Sequence, residues 1–181
     1  MLVYSTLSLG VAAFLFFASS TYHRTPWRSI AEEEKATRRD YYAIHLMIGW
    51  SLCPTYGQVL TPLSAALAVM STGALALAAI LFSYFSGSGK DRIRTMGYIL
   101  QAIVSAIPLI GARLASFEFY CLVVTISGYL VGACIYVREE PNPIPRHWGY
   151  VECWHLLVVV AATGTYSTNL SLLMKGGVDS K

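Results

Sequence analysis

The sequence predicts an all-α membrane protein, a bundle of about six transmembrane helices, and three observations predict it. Of 181 residues, 55% are hydrophobic and 13% are charged, about half the roughly 25% charged content of a water-facing domain. Six apolar stretches are each long enough to cross about 30 Å of hydrocarbon at about 1.5 Å per residue. The short connections between them alternate between strongly basic and nearly neutral, as in multi-pass proteins.

The first stretch, Leu2–Tyr22, follows Met1 with no positive segment before it, so it reads as a retained span and not a cleaved leader. The second, Tyr41–Leu60, opens behind Asp40 and carries Pro54 near its far end, while the third, Leu63–Phe85, holds no charge. The fourth, Thr95–Ala112, contains Pro108, and prolines and glycines are tolerated in spans because neighbouring helices re-satisfy the backbone. The fifth, Phe117–Val137, has Gly128 and Gly132 at a four-residue spacing that serves either helix packing within the chain or a dimer seam. The sixth, Tyr150–Met174, begins between Trp148 and Trp154, at the position of interfacial anchors. Together they form one multi-pass domain over residues 1–181.

Basic loops resist translocation. Ten of the 13 basic residues, including Arg24, Arg28, Lys35, Arg38, Arg39, Lys90 and Arg138, fall in the connections Arg24–Asp40, Ser86–Arg94 and Arg138–Gly149. Those three connections are therefore expected on the cytoplasmic side and both chain ends outside. A net charge of +3 with no basic stripe excludes a nucleic-acid partner. Cys53, Cys121, Cys134 and Cys153 show no paired spacing and read as apolar packing residues. Asn169-Leu-Ser171 fits a glycosylation acceptor but lies in or beside the last span, where it is expected to stay unmodified.

Polar groups converge at one membrane level. His23 ends the first helix, Asp40 opens the second and His155 lies near the start of the sixth, all on the basic side. Ionisable groups at membrane depth are costly and are functional candidates by default. Taken singly, Asp40 also fits a helix N-terminal carboxylate and His23 a terminal residue reaching the interface. Imidazole nitrogen and carboxylate oxygen are a ligand set suited to zinc. Ser19 and His23 are four apart and share a helix face, which suits the hydroxyl to supporting a ligand.

Three separated motifs carry a family resemblance: Ser19-Ser-Thr-Tyr-His23, Asp40-Tyr-Tyr-Ala-Ile44 continuing to Pro54-Thr-Tyr56, and Val151-Glu-Cys-Trp-His155. In their order and helix positions the chain resembles the haemolysin III and progestin/adipoQ receptor family, especially its monocyte-to-macrophage differentiation factor branch. The resemblance implies a seven-helix fold, of which the first helix has no counterpart here. It also implies zinc held by His23 and His155, with Asp40 holding or activating water. The family's last motif has histidine at both ends of a five-residue segment, and this chain has Val151 at the first of them. Glu152, rotated about 100° around the helix, and His147 are awkward substitutes, and His45 lies about 140° from Asp40, so Asp40 is expected to move into direct metal contact.

The resulting expectation is a zinc-centred cavity open to the cytoplasm that hydrolyses a lipid amide such as ceramide, with Asp40 and Ser19 as catalytic residues and His23, His155 and Asp40 as metal ligands. Membrane lipids, and a lipid substrate among them, are the expected partners. The alternative is a receptor-like or signalling protein with a degenerate or structural metal site, which the loss of the third histidine of the site, at Val151, favours. A pore is disfavoured, because no helix carries a polar stripe to line one.

Overall fold

The computed structural model describes residues 1–85, 91–144 and 147–178, with the side chains of residues 91–92 and 176–178 left aside. Among the described residues, the chain forms helices α1 (Leu2–Arg24), α2 (Ile30–Trp50), α3 (Cys53–Val59), α4 (Pro62–Phe85), α5 (Asp91–Ala106), α6 (Ser116–Arg138) and α7 (Tyr150–Val178), with a 3-10 turn at Ile107–Leu109 and no strand. The basic connection expected at Ser86–Arg94 lies largely outside the described residues. The helices α1, α4, α6 and α7 are each long and apolar enough to span a bilayer, and at most a third of each span is buried within the protein. The rest of those surfaces present residues such as Phe17, Leu63, Met70 and Ile126 outward. In water such faces would drive aggregation; in a bilayer they are the lipid contact.

The chain divides into two compact units, Met1–Lys90 with Leu100–Ile110, and Asp91–Ile99 with Gly111–Lys181. In the first unit, α1 packs on α2 and α3, α2 and α3 pack on α4, and α3 meets the 3-10 turn. The buried stripe of α1 is Ser8, Val11, Ala12, Leu15 and Ala18, and that of α2 is Ala36, Asp40, Ala43, Met47 and Gly49. Small residues on both stripes let the backbones approach, which is how helices associate where the surroundings are as apolar as the side chains.

Helix α2 differs from its sequence reading. It begins at Ile30, eleven residues before the apolar stretch, because Ser29 caps it by accepting from the Glu32 amide and Glu32 and Glu33 complement the first-turn dipole. Arg38 and Glu34 add an i,i+4 pair at 3.3 Å. Hydropathy marks where a helix enters lipid, not where it starts. Asp40 accordingly does not open α2 but lies in its third turn, and a dipole role for its carboxylate falls away. Helix α2 also stops at Trp50, and Pro54, in the first turn of α3, marks the break, since proline lacks the amide that would continue the ladder.

A buried polar pair joins α2 to the second half of α5. The Gln101 Nε2 donates to the His45 carbonyl at 2.8 Å, which leaves its Oε1 facing the His45 Nδ1 at 2.7 Å. Nδ1 is therefore the donor in this contact, and the tautomer is fixed. His45 and Gln101 are 1% and 2% exposed, so water cannot replace either bond. Gln101→Leu and His45→Leu are each expected to destabilise the detergent-solubilised protein by about 1–3 kcal/mol. The double variant should cost clearly less than their sum in thermal unfolding, whereas strict additivity would show that the pair is not coupled.

In the second unit α6 and α7 form a close antiparallel pair. A Cβ on Gly128 would meet the Ala161 Cβ at 3.0 Å, and one on Gly132 would meet the Trp154 ring at 3.1 Å. The GxxxG-like spacing is thus used within the chain. Trp154 is packed against Tyr136, ring centroids 5.1 Å apart, so it anchors α7 on α6. Thr125 donates across the pair to the Ala161 carbonyl at 3.0 Å. Asn169 of the glycosylation pattern is 3% exposed inside α7, unfit to receive a glycan. Of the four cysteines, all free, Cys53 is buried as expected, but Cys134 faces outward on α6.

Candidate functional site

The end of α1 and the third turn of α2 build the site in the first unit. On α1 the buried stripe runs on through Ala18 to Ser19, half-buried, and one turn later to the exposed His23. Helix α2 returns against α1 after the connection at Thr25–Ser29, and its stripe of Ala36, Asp40, Ala43 and Met47 repeats at three- and four-residue steps. Asp40 is the only charged residue on that stripe. Its carboxylate is 4% exposed, receives a hydrogen bond from the Ser19 side chain and interacts electrostatically with His23. The structure thus brings Ser19, His23 and Asp40 together from two helices.

A buried carboxylate needs partners on both oxygens. Among the described residues Asp40 Oδ1 has no hydrogen-bond partner. A buried acceptor beside a histidine is a fitting position for a cation or a water, and the oxygen and nitrogen donors suit zinc. Among the described residues no three His, Cys, Asp or Glu side chains are grouped around one metal position.

His155 belongs to the second unit, half-buried in the second turn of α7 and stacked beside Trp154 with ring centroids 4.7 Å apart. Val151, one turn earlier, is half-buried on the same helix face. Glu152 is engaged otherwise: its Oε2 accepts from the Gly149 amide at 2.8 Å, a cap on the start of α7. His147 is exposed in the connection before α7, and His45 is held by Gln101.

A second ionic cluster escaped the sequence reading. Glu118, in the first turn of α6, is fully buried and accepts from Ser171 at 2.6 Å and from the Lys175 ammonium, both near the far end of α7. Glu118 is the only acid in the fifth apolar stretch, and the rule that singled out Asp40 would have found it. Its partner lies 57 residues away, with no local signal to name it.

Apolar helices with outward lipid-facing surfaces and polar side chains gathered at the ends of spans define an integral, multi-pass membrane protein. The haemolysin-III-related family matches the chain over residues 2–166, nearly its whole length, and the chain belongs to that family. No solved structure matches it.

Proposed function

We propose that the chain is a zinc-dependent hydrolase of a lipid amide, of the ceramide class, resembling the monocyte-to-macrophage differentiation factor branch of its family, with its site facing the cytoplasm. The observation that carries this reading is the buried Asp40 carboxylate, supported by Ser19 and His23 and with one oxygen still available. His23 and Asp40 would hold the metal, with His155 the further ligand that the family resemblance assigns. Zinc, when bound, supplies Lewis acidity and makes water a nucleophile at neutral pH.

The protein's own part is orientation and proton transfer. The Ser19 hydroxyl fixes one Asp40 oxygen and so turns the other toward the reacting water. Asp40 takes the water proton as the oxygen bonds to the amide carbonyl carbon, and returns it to the nitrogen as the C–N bond breaks, leaving a fatty acid and an amine. Lipid-facing surfaces of α1 would let an acyl chain reach the site sideways from the bilayer.

Val151 favours a second reading, a receptor-like protein whose metal site is structural. Zinc content and ceramide hydrolysis by the purified protein separate the two. About one zinc per chain with hydrolysis, both reduced in His23→Ala, and hydrolysis cut by about 10²–10⁴ in Asp40→Asn, is the expected result. Zinc without hydrolysis would transfer the site to the structural reading, and zinc content unchanged in both variants would remove Asp40 and His23 from it.

A further inference from the structure

The second unit holds a groove that no part of the Asp40 site uses. Its floor is one stripe of α6, Val131, Cys134, Ile135 and Arg138, at i, i+3, i+4 and i+7, and its rim is the return segment at Glu140–Asn142. The groove is broad and open to the outside, with a volume of about 680 Å³. Helix α7 packs on the neighbouring face of α6 through Gly128 and Gly132, which leaves Val131, Cys134 and Arg138 exposed and Ile135 half-buried beside the seam. Val131 is half exposed.

The rim is braced. Glu139 ends α6 in the left-handed conformation, with φ of 56°. Asn142 ties the segment at both ends, donating from Nδ2 to the Glu139 carbonyl at 2.9 Å and accepting at Oδ1 from the Tyr150 amide at 3.1 Å. Arg138 is the last residue of its membrane span, so its guanidinium stands where hydrocarbon gives way to headgroups. Glu140 stands two residues on, across the same groove. Among the described residues neither side chain makes a salt bridge.

We propose that this groove binds a zwitterionic glycerophospholipid with a primary ammonium headgroup, a phosphatidylethanolamine. Charge complementarity selects it. The guanidinium of Arg138 matches the lipid phosphate in a forked, bidentate manner, and the Glu140 carboxylate accepts from the ammonium. From Arg138 back to Val131 the stripe runs about 10 Å down into the hydrocarbon, a bed for the first part of one acyl chain. A phosphatidylcholine offers no N–H to Glu140, and a phosphatidylglycerol offers no cation. Occupancy would clamp the α6–α7 connection.

The full chain, purified in detergent and titrated with dioleoyl phosphatidylethanolamine, phosphatidylcholine or phosphatidylglycerol, tests this by native mass spectrometry of retained lipid. The ethanolamine lipid should be retained about fivefold over the choline lipid. Glu140→Gln should erase that preference and raise retention of the glycerol lipid, while Arg138→Ala should lower retention of all three. Helix content of each variant is checked by circular dichroism; both positions are exposed, and folding should persist. Equal ethanolamine-lipid retention in Arg138→Ala and the parent, or an intact preference in Glu140→Gln, overturns the assignment. Displacement of the lipid by an equal concentration of phosphoethanolamine, which lacks acyl chains, overturns the membrane source of the ligand.

Discussion

Val151→His is expected to raise the zinc affinity of the purified protein by about a hundredfold. Residues four apart on α7 lie about 40° apart around the axis and about 6 Å along it, so an imidazole at this position and His155 converge on one ion. Four-ligand zinc sites in peptides bind with about 10–16 kcal/mol, so each ligand contributes about 2.5–4 kcal/mol, or about two to three powers of ten. Both positions are half-buried, which leaves the ion a path to reach them. Competition with a chelator measures the gain, and His155→Ala in the Val151→His background should abolish it. Equal affinity in the parent and Val151→His proteins would show that α7 does not present this face to the metal, and the alignment of the last motif would fail with it.

The largest loss of stability should come from Gly164→Leu, at the seam of α6 and α7. A Cβ there would stand 2.6 Å from the Thr125 Oγ1 and 2.7 Å from the Cys121 carbonyl oxygen. The carbonyl is backbone and cannot turn aside, so the helices must separate. Separation also breaks the Thr125 hydrogen bonds to the Ala161 carbonyl at 3.0 Å and the Thr165 hydroxyl at 3.3 Å. A cost of about 3 kcal/mol or more is expected, read as a lowered unfolding midpoint in detergent. Gly10→Ala is the control, because nothing lies within 4 Å of a Cβ at that position, and its effect should stay within about 0.5 kcal/mol. A Gly164→Leu midpoint equal to that of the control would mean that α6 and α7 are not in close contact.

The candidate site was only partly legible. Asp40 announced itself because a carboxylate beside an apolar run is expensive, and Ser19 and His23 because a four-residue step puts them on one face. The start of α2 was misplaced by ten residues from Asp40, since its first half is a charged, capped helix outside the apolar stretch, and hydropathy is blind to helix in water. Gln101 and Ser105 stood in the fourth stretch as unremarked polar residues. Gln101 takes its meaning from its partner His45, whereas position 105 contributes through its backbone, whose carbonyl accepts from the Tyr56 hydroxyl.

The sequence by itself determined the solvent and the class: a charged fraction of 13% and six apolar runs admit a bilayer protein and little else, because these are sums over residues that no folding can alter. The family followed from motif order, another property of the line. Tertiary structure alone decided which partner each polar group takes. Gly128 and Gly132 turn toward α7 and not toward a second copy, Glu118 reaches Lys175 and Ser171, and Asp40 lies against Ser19 and His23. Those choices depend on helix rotation and axial offset. Composition and periodicity give the face a residue occupies on its own helix, but only the packed backbones fix what stands opposite it.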